Sequence, residues 1–348
     1  MSDIIRLTRP GDKVMSMKSL IKFALNSPLR LIMRIDRTIT GTFRAGFVST
    51  AISEGVYDIL RDGAQASGMI AERLGIENLE GLEAWLDLGV SLGELSRSAD
   101  GYSIKGQLSL GVTDPRNDTW QAFLLARAQV IYGYITQTPS KLKRNSRFQF
   151  SDSYGELFAR SSRTVEPVLL EMMKELIPGE GALSLLEVGC GTGVYLKHAC
   201  DINPQLRATG LEMQQNVAEL ARKNIADWRL GGRVRVENAD IRRYRAENGV
   251  DLVTFYNLIY YFPLAERVHV LRMLAGNLRP GGRLLVTTLC RMNTPSIESM
   301  NLWSTMTEGC GPLPGKDEII GMLRDAGFVD VKSRRLIPGF YLYDATNA

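Results

Sequence analysis

Histidine is scarce in this chain, which has only His198 and His269 among its 348 residues. Cysteine is also sparse, and the four cysteines lie far apart without forming a Cys-x-x-Cys pair. We therefore expect no disulfide framework and no metal site, and a reducing cytoplasm is the predicted location. His198 follows a glycine-rich loop and is expected to face solvent. His269 is expected to pack on its helix or to face water.

An uninterrupted apolar run of membrane-spanning length is also missing. The most apolar stretch, "SLIKFALNSPLRLIMRI" (19–35), is interrupted by Lys22, Pro28, Arg30 and Arg34. We therefore do not expect a spanning helix. A signal peptide is not expected either, because no small-residue cleavage site follows an uninterrupted apolar core.

Positive charge is concentrated near the amino terminus. Residues 1–45 hold nine Lys or Arg and three Asp, a balance of +6, so the net charge of +4 leaves −2 for the remainder. This basic amphipathic extension could contact an anionic membrane surface through residues 13–37. The favoured interpretation is a helix packed on its own domain or on a partner subunit, because apolar stripes at helical spacing usually pack against protein.

Helical periodicity dominates residues 46–148. Apolar residues at three- and four-residue spacing predict helices, and two short strands about a turn follow at 95–106. Three helices followed by a hairpin are typical of a winged-helix domain. A further helix is predicted from Thr119 to Tyr134, and the basic stretch 138–148 has the composition of a linker. The first three helices are predicted over residues 47–60, 66–76 and 79–93.

A winged helix can bind DNA, but the charge pattern here opposes that function. The segment that would supply the recognition helix, residues 75–96, contains five acidic residues and no Lys or Arg. Attraction to phosphates supplies most non-specific affinity for DNA, so nucleic acid is not expected as a partner. We interpret the domain as a dimerisation module that also covers the substrate.

Strands and helices alternate from about Leu183, within a predicted second domain at 149–348. This alternation predicts an α/β fold with a doubly wound, mostly parallel seven-stranded sheet. The segment "LSLLEVGC" is a buried strand, and "DEIIGMLRDAGF" (317–328) is a helix ended by Gly327. Further strands are predicted at 207–213, 233–239, 250–257 and 283–289, with two more in the tail.

The stretch "LLEVGCGTGVYL" (185–196) carries the clearest signal for a ligand. A strand ends, Gly189, Gly191 and Gly193 follow, and a helix begins. Such glycines permit a tight turn and let a ligand approach the backbone. Glu212, nineteen residues after Gly193, stands at the tip of the next strand, where a carboxylate suits the two hydroxyls of a ribose.

The spacing of these glycines distinguishes between nucleotide-like ligands. A dinucleotide fingerprint requires G-x-G-x-x-G, whereas this loop reads G-x-G-x-G. Glu187, two residues before the first glycine, would repel a pyrophosphate and suits an amine. A ribose together with an ammonium group, without phosphate, indicates S-adenosylmethionine.

These residues resemble the class I S-adenosylmethionine-dependent methyltransferases over about residues 150–348. The resemblance implies that Glu187 orients the methionine amine through its surroundings and that Glu212 holds the ribose. It further implies that Asp240 in "ENAD" contacts the adenine amine, that Ile241 lies beside the adenine ring, and that Asn257 lies near the methionine part. The segment "LRPGGRLLV" is a further feature of the family.

The helical first half is similar to that of small-molecule O-methyltransferases, which dimerise through a winged-helix domain. The resemblance therefore implies a homodimer. In that subfamily an aromatic residue, a Met and a Ser follow at four-residue steps on a helix over the cofactor. Tyr154, Phe158 and Ser162 have this spacing, with Phe in place of Met. A plain helical core face would have the same spacing.

The end of the fourth strand departs from the resembled pattern. Those enzymes use the histidine of "N-x-x-H-D-W" as a base, whereas this chain reads "NLIYYF" (257–262) and places Tyr260 there. A tyrosine has a reference pKa of about 10 and is a poor base at neutral pH. Tyr260 could instead bind the acceptor or place its ring near the sulfonium.

Two carboxylates could accept a proton in place of the missing histidine. Glu308 in "MTEGCG" lies in a stretch that covers the substrate in the resembled family, and Asp344 roughly matches a glutamate that flanks the family's histidine. Burial could raise the pKa of either group. Each could also be an ordinary surface carboxylate.

The sequence thus predicts methyl transfer from S-adenosylmethionine to a small molecule, most simply to a hydroxyl of an aromatic or polyketide-like metabolite. The apolar stretch "WSTMTEGCGPL" (303–313) is predicted to form a lid over the acceptor, and its apolar character favours such an acceptor over a bare sugar. The alternatives are C- or N-methylation on the same fold, sugar-hydroxyl methylation, and a non-catalytic regulator that binds the cofactor.

Overall fold

The computed structural model describes residue 22 and the ranges 28–149 and 154–348. Most of the predicted basic extension lies outside the described residues. Contacts divide the chain after Leu110 into two compact units. The predicted division after residue 148 therefore differs from the one that the contacts define.

The first unit is built from four helices and a hairpin, so the predicted winged-helix arrangement is confirmed. Its core contains Ile70, Leu86 and Leu95, all nearly inaccessible to solvent. The helix predicted over 47–60 is broken, because Gly55 adopts a left-handed φ of 77°. The elements are helices α1 (Leu29–Ser53), α2 (Val56–Leu60), α3 (Ser67–Leu74) and α4 (Leu79–Ser91), with strands β1 (Leu95–Ser98) and β2 (Gly101–Ile104).

Helix α5 (Gln107–Thr113) contains the division between the units, and a long helical segment follows it. Helix α6 (Asp118–Leu125) continues through a π-helical turn at Ala126–Ile131 into α7 (Tyr132–Lys143). The π-helical turn leaves an extra residue in the backbone ladder, a feature often found near functional sites.

The stretch 138–148, predicted to be a linker, is instead packed into the second unit. Helix α7 runs to Lys143 with Pro139 inside it. Phe148 stacks on Tyr134 with ring centroids 4.0 Å apart, and its backbone N–H donates to the carbonyl of Met306 at 2.8 Å. Tertiary packing has overridden the local composition, which is why the linker prediction is wrong.

The remaining elements form the predicted doubly wound sheet with helices on both faces. The helices are α8 (Gly155–Ser162), α9 (Glu166–Leu176), α10 (Val194–Ile202), α11 (Gln215–Asp227), α12 (Arg267–Ala275), α13 (Pro295–Met306) and α14 (Lys316–Asp325). The strands are β3 (Ser184–Val188), β4 (Arg207–Glu212), β5 (Val234–Asn238), β6 (Val250–Tyr256), β7 (Leu278–Leu289), β8 (Phe328–Ile337) and β9 (Phe340–Asn347).

Seven strands in the second unit lie in the order β5-β4-β3-β6-β7-β9-β8, and β9 is antiparallel to both of its neighbours. Side chains alternate between two hydrophobic cores, as a pleated strand requires. Leu186 and Val253 pack on one face, whereas Leu185 and Leu252 pack on the other. From β3 the chain adds β4 and β5 on one side of the sheet, and it then crosses to add β6 and β7 on the other side. Ligands are expected at the carboxyl ends of β3 and β6, where this change of side occurs.

None of the helices within the described ranges combines the length and apolar character that a membrane span requires. The cytoplasmic location stays a prediction.

Candidate functional site

The glycine loop at the end of β3 is held by its backbone. The N–H groups of Gly189 and Cys190 both donate to the carbonyl of Leu211, at 2.7 and 2.9 Å. Gly189, Gly191 and Gly193 all have positive φ, of 68°, 53° and 82°. A Cβ on Gly189 would lie 1.9 Å from a methyl group of Leu258. Only glycine fits this turn, which brings the backbone to the carboxyl edge of the sheet.

Glu212 ends β4 with its carboxylate fixed against the glycine loop. Oε2 accepts a hydrogen bond from the N–H of Gly191 at 3.1 Å, and Oε1 accepts one from the N–H of Gln214 at 3.0 Å. Burial raises the pKa of Glu212, and these backbone hydrogen bonds act against that rise. The group is thus oriented before any ligand binds, as recognition of a ribose diol requires.

Asp240 and Ile241 follow β5 at the same edge of the sheet. Asp240 caps a short 3-10 turn by accepting the N–H of Arg242 at 2.9 Å, and its Oδ2 lies 2.8 Å from the Arg242 guanidinium. Ile241 is buried and presents an apolar surface beside this pair. An adenine ring requires this combination of an apolar face and a polar edge.

Asn257 follows β6 in a left-handed conformation with a φ of 56°, which is uncommon for a residue other than glycine. Its N–H donates to the carbonyl of Thr287 at 2.7 Å. Its side-chain Oδ1 is buried and accepts no hydrogen bond from the residues that the structure describes. A buried acceptor of this kind suits a donor on a ligand, such as an ammonium group.

Glu187 is buried on β3, two residues before the glycine loop. Burial raises the pKa of its carboxyl group well above the ordinary value. Glu187 is also close enough to Tyr195 and Tyr256 to raise the pKa of both phenols. The carboxylate lies below the surface at which a ligand would bind, and it does not line the cavity described next.

A cavity of about 310 Å³ lies along the carboxyl edge of β3, β4, β5 and β6. Its size fits one ligand of drug-like dimensions. It brings together nine of the residues predicted for the site. These are Ser162, Gly189, Gly191, Glu212, Asp240, Ile241, Asn257, Tyr260 and Glu308.

Tyr260 lines this cavity, which we call the main cavity, from the 3-10 turn Ile259–Tyr261. Its ring stacks on Tyr261 with centroids 5.2 Å apart and meets Trp303 edge-on at 6.5 Å. Its carbonyl accepts the N–H of Gly311 at 2.9 Å. Burial raises the pKa of the Tyr260 phenol, so it is an even poorer base than an exposed tyrosine.

Glu308 lines the main cavity from the loop after α13. Its Oε2 accepts a hydrogen bond from the side-chain amide of Gln149 at 2.6 Å. Together with Glu212 and Asp240, Glu308 is one of three carboxylates among the described residues that line the main cavity. The predicted apolar lid is more deeply packed than expected, because Trp303 and Met306 belong to the core.

The structure does not bring Asp344 to the main cavity. Asp344 lies on β9 opposite Leu285, whereas the carboxyl end of β7 is at Leu289. Its carboxylate forms an ion pair with Arg283 at 2.7 Å. This placement gives Asp344 a structural ion pair and no route to an acceptor.

Other predicted residues also lie apart from the main cavity. Tyr154 caps α8 and lines a neighbouring cavity. The other two residues at four-residue spacing, Phe158 and Ser162, line the main cavity. Gly193 begins α10 and does not line it. His198, expected to face solvent, is largely buried and lies 2.8 Å from Glu166.

Several lining residues were not predicted. Met213 and Gln214 follow Glu212 directly, and this adjacency is the signal that could have identified them. Tyr261 and Phe262 belong to the stretch "NLIYYF", in which only Asn257 and Tyr260 were assigned. Cys310 belongs to the stretch 303–313 that is predicted to form an apolar lid, although it is not among the residues assigned to the site.

Comparisons with known proteins identify the kind of domain that contains this cavity. Residues 185–282 match the family of methyltransferase domains. The demethylspheroidene O-methyltransferase of Rhodobacter capsulatus is 24% identical over 193 residues, which are 55% of this chain and 46% of that protein. The chain spans less than half the length of each of three curated relatives that it matches, at 46%, 36% and 31%.

Solved structures share the fold over most of this chain. The mitomycin 7-O-methyltransferase MmcR superposes with a TM-score of 0.77 at 19% identity, covering 92% of this chain and 98% of that one. Human N-acetylserotonin methyltransferase, solved in complex with S-adenosylmethionine, has a TM-score of 0.70 at 15% identity, covering 97% and 100%. At such identities these likenesses establish the fold.

Residues 185–282 of the second unit therefore match methyltransferase domains, and the second unit has the fold of class I S-adenosylmethionine-dependent methyltransferases. The predicted resemblance and the predicted cofactor are both confirmed. The residues present fit S-adenosylmethionine, since the buried Oδ1 of Asn257 lacks a partner among described residues and the carboxylate of Glu212 is already oriented.

Proposed function

We propose that this protein transfers a methyl group from S-adenosylmethionine to a hydroxyl of a small aromatic or polyketide-like molecule. The observation that carries the proposal is the composition of the main cavity. Its lining joins the glycine loop, Glu212 and Asp240, which we assign to the cofactor and call the cofactor end, to Tyr260, Tyr261 and Glu308, which we assign to the acceptor and call the acceptor end. A single cavity thus joins cofactor-binding residues to an apolar acceptor end.

The residues at the cofactor end have distinct proposed roles. Glu212 accepts hydrogen bonds from the ribose hydroxyls, and Asp240 accepts one from the adenine amine while Ile241 packs on the ring. The Oδ1 of Asn257 accepts a hydrogen bond from the ammonium group, and the backbone of Gly189 and Gly191 permits close approach. When bound, the cofactor supplies an activated methyl group on a sulfonium, so the protein mainly aligns the reactants.

At the acceptor end, Glu308 is the proposed proton acceptor and Tyr260 the proposed positioning group. Glu308 lines the cavity, which Asp344 does not. Tyr260 is unsuited to proton abstraction because burial raises its pKa. Its buried ring instead fixes the acceptor by contact.

The test is formation of S-adenosylhomocysteine, followed by mass spectrometry, with a panel of phenols. Glu308→Gln should lower kcat roughly 100-fold or more while leaving cofactor affinity unchanged, as expected for loss of a general base. The matched control is Glu298→Gln, since Glu298 lies on α13 bonded to Asn301 and does not line the main cavity.

A second candidate is methylation of a carbon, a nitrogen or an already ionised phenol. The absence of histidine from the main cavity and the burial of Tyr260 favour it, because such acceptors need no strong base. Full activity of Glu308→Gln would support this candidate over base-assisted O-methylation. Cofactor binding without turnover on any acceptor would instead indicate a non-catalytic binding protein.

We also propose that the protein is a homodimer that buries an apolar stripe on α1. Ile32, Ile35, Ile39 and Phe43 follow one another at three- and four-residue spacing, and each is between 43% and 53% exposed. A stripe of this size is unfavourable in water. Light scattering should give the mass of two chains, and Ile39→Asp should shift it toward one. The mass of one chain for the wild-type protein would contradict the dimer.

A further inference from the structure

A second cavity, of about 330 Å³, lies beside the main cavity in the same unit. Phe158 lines both cavities. Gln149 lines the second cavity and donates a hydrogen bond to Glu308, which lines the main one. The two cavities therefore meet at Phe158 and at the Gln149–Glu308 hydrogen bond, which is the acceptor end of the main cavity.

The main cavity is too small to hold both the cofactor and an acceptor of more than one ring. Its volume of about 310 Å³ lies at the lower end of the range for one drug-sized ligand, roughly 300–1,000 Å³. The cofactor is itself a ligand of this size. An acceptor larger than a single small ring must therefore extend beyond the main cavity, and the second cavity borders it at Phe158 and at the Gln149–Glu308 hydrogen bond.

The walls of the second cavity are suited to a flat ring system. Phe148 stacks on Tyr134 with centroids 4.0 Å apart, and Trp303 lies against Phe158 with centroids 4.9 Å apart. Tyr134, Phe158 and Trp303 are buried, so their positions are fixed by packing. Two pairs of aromatic side chains favour a planar aromatic ligand, which can stack on one pair and meet the other edge-on.

The charge of the second cavity distinguishes between aromatic ligands. Lys141 is the one charged side chain among the described residues that line it, and no described carboxylate lines it. Lys141 is half-buried, and its Nζ lies 5.1 Å from the centroid of the Phe148 ring and forms no ion pair with the described residues. A cation that has no carboxylate partner among the described residues favours a ligand that brings negative charge.

We propose that the second cavity is the acceptor subsite, and that it selects a planar aromatic acceptor with a carboxylate held by Lys141. The hydroxyl to be methylated then lies at the junction, beside Glu308. The glutamines Gln129, Gln137 and Gln149, which also line this cavity, supply hydrogen bonds to polar ring substituents. The proposal rests on the proposed function, and it names the acceptor class that the proposed function leaves open.

The test compares two probes of equal shape, 6-hydroxy-2-naphthoate and 6-hydroxy-2-naphthamide, in calorimetric binding to the full chain saturated with S-adenosylhomocysteine. The wild-type protein should bind the carboxylate about tenfold more tightly than the amide, as expected for one charge-assisted hydrogen bond. Lys141→Met should remove that preference, and Lys141→Arg should restore it. Lys143→Met is the matched control, because Lys143 lies on the same helix outside the cavity lining and should leave the preference unchanged.

Two results would overturn the proposal while leaving the proposed function intact. One is binding of S-adenosylhomocysteine without binding of either probe. The other is a carboxylate preference that is absent in the wild-type protein or that persists in Lys141→Met. Failure of the wild-type protein to bind S-adenosylhomocysteine at all would overturn the proposed function, and the acceptor subsite with it.

Discussion

Replacement of Glu212 by glutamine tests the assignment of the ribose site. The carboxylate of Glu212 already accepts hydrogen bonds from the N–H groups of Gly191 and Gln214, at 3.1 and 3.0 Å, so its position is fixed before the cofactor binds. A glutamine has nearly the same shape, but it lacks the charge and one of the two acceptor oxygens. The substitution therefore removes one charge-assisted hydrogen bond to a ribose hydroxyl, and it also sets an amide NH2 against one of the two backbone N–H groups.

The expected size of this effect follows from the hydrogen bond that is lost. A hydrogen bond to a charged group contributes about 1.5–3 kcal/mol, which corresponds to a rise of roughly 10- to 100-fold in the Kd for S-adenosylmethionine. Isothermal titration calorimetry measures it directly. Glu237→Gln is the matched control, since Glu237 lies on the neighbouring strand β5, pairs with Arg235 and does not line the main cavity.

The pH dependence gives a second readout of the same group. Burial raises the pKa of Glu212, so it takes up a proton at a higher pH than an ordinary carboxyl group. The protonated form is a weaker acceptor for the ribose, so wild-type affinity should fall as the pH decreases through this raised pKa, and Glu212→Gln should lack this dependence. An affinity within threefold of wild type, with the same pH dependence, would refute the ribose assignment.

Three further substitutions test other parts of the account. Gly191→Asp should abolish S-adenosylmethionine binding in calorimetry, because φ is 53° there and the new carboxylate would enter the ligand site, so retained micromolar binding would disprove the site. Tyr260→Phe should lower activity modestly without changing the pH profile, whereas loss of one limb would show that Tyr260 titrates in catalysis. Arg267→Met should lower the free energy of unfolding by about 2–4 kcal/mol, because the fully buried guanidinium donates to two backbone carbonyls, at 3.1 and 2.6 Å. An unchanged melting temperature would contradict that role.

The sheet and the cofactor end of the main cavity could be predicted because their signals are local. The glycine loop follows its strand directly, and Glu212 and Asp240 each end a neighbouring parallel strand. In a parallel sheet the carboxyl ends of adjacent strands meet at one edge, so positions along the chain translate into positions in space. This is why the sequence alone assigns residues from three separate segments to one cavity.

The acceptor end depends on long-range packing, which sequence patterns do not encode. The sequence makes Asp344 a candidate base. The antiparallel register of β9 instead places Asp344 away from the carboxyl edge of the parallel strands, where it forms an ion pair with Arg283. The stretch 138–148 has the composition of a linker, yet Tyr134 and Phe148 pack it into the second unit. The second cavity exists because of this packing, so it had no counterpart among the predictions.

The position of a transferred label tests the central claim most directly. The protein should be incubated with S-adenosylmethionine carrying a ¹³C-methyl group and with an aromatic hydroxy acid that it binds, and the product examined by NMR. The account predicts one labelled methyl group, attached to the ring hydroxyl oxygen, in an amount equal to the S-adenosylhomocysteine formed. A label on carbon or nitrogen would contradict O-methylation, and the absence of any labelled product from a protein that binds both ligands would contradict methyl transfer itself.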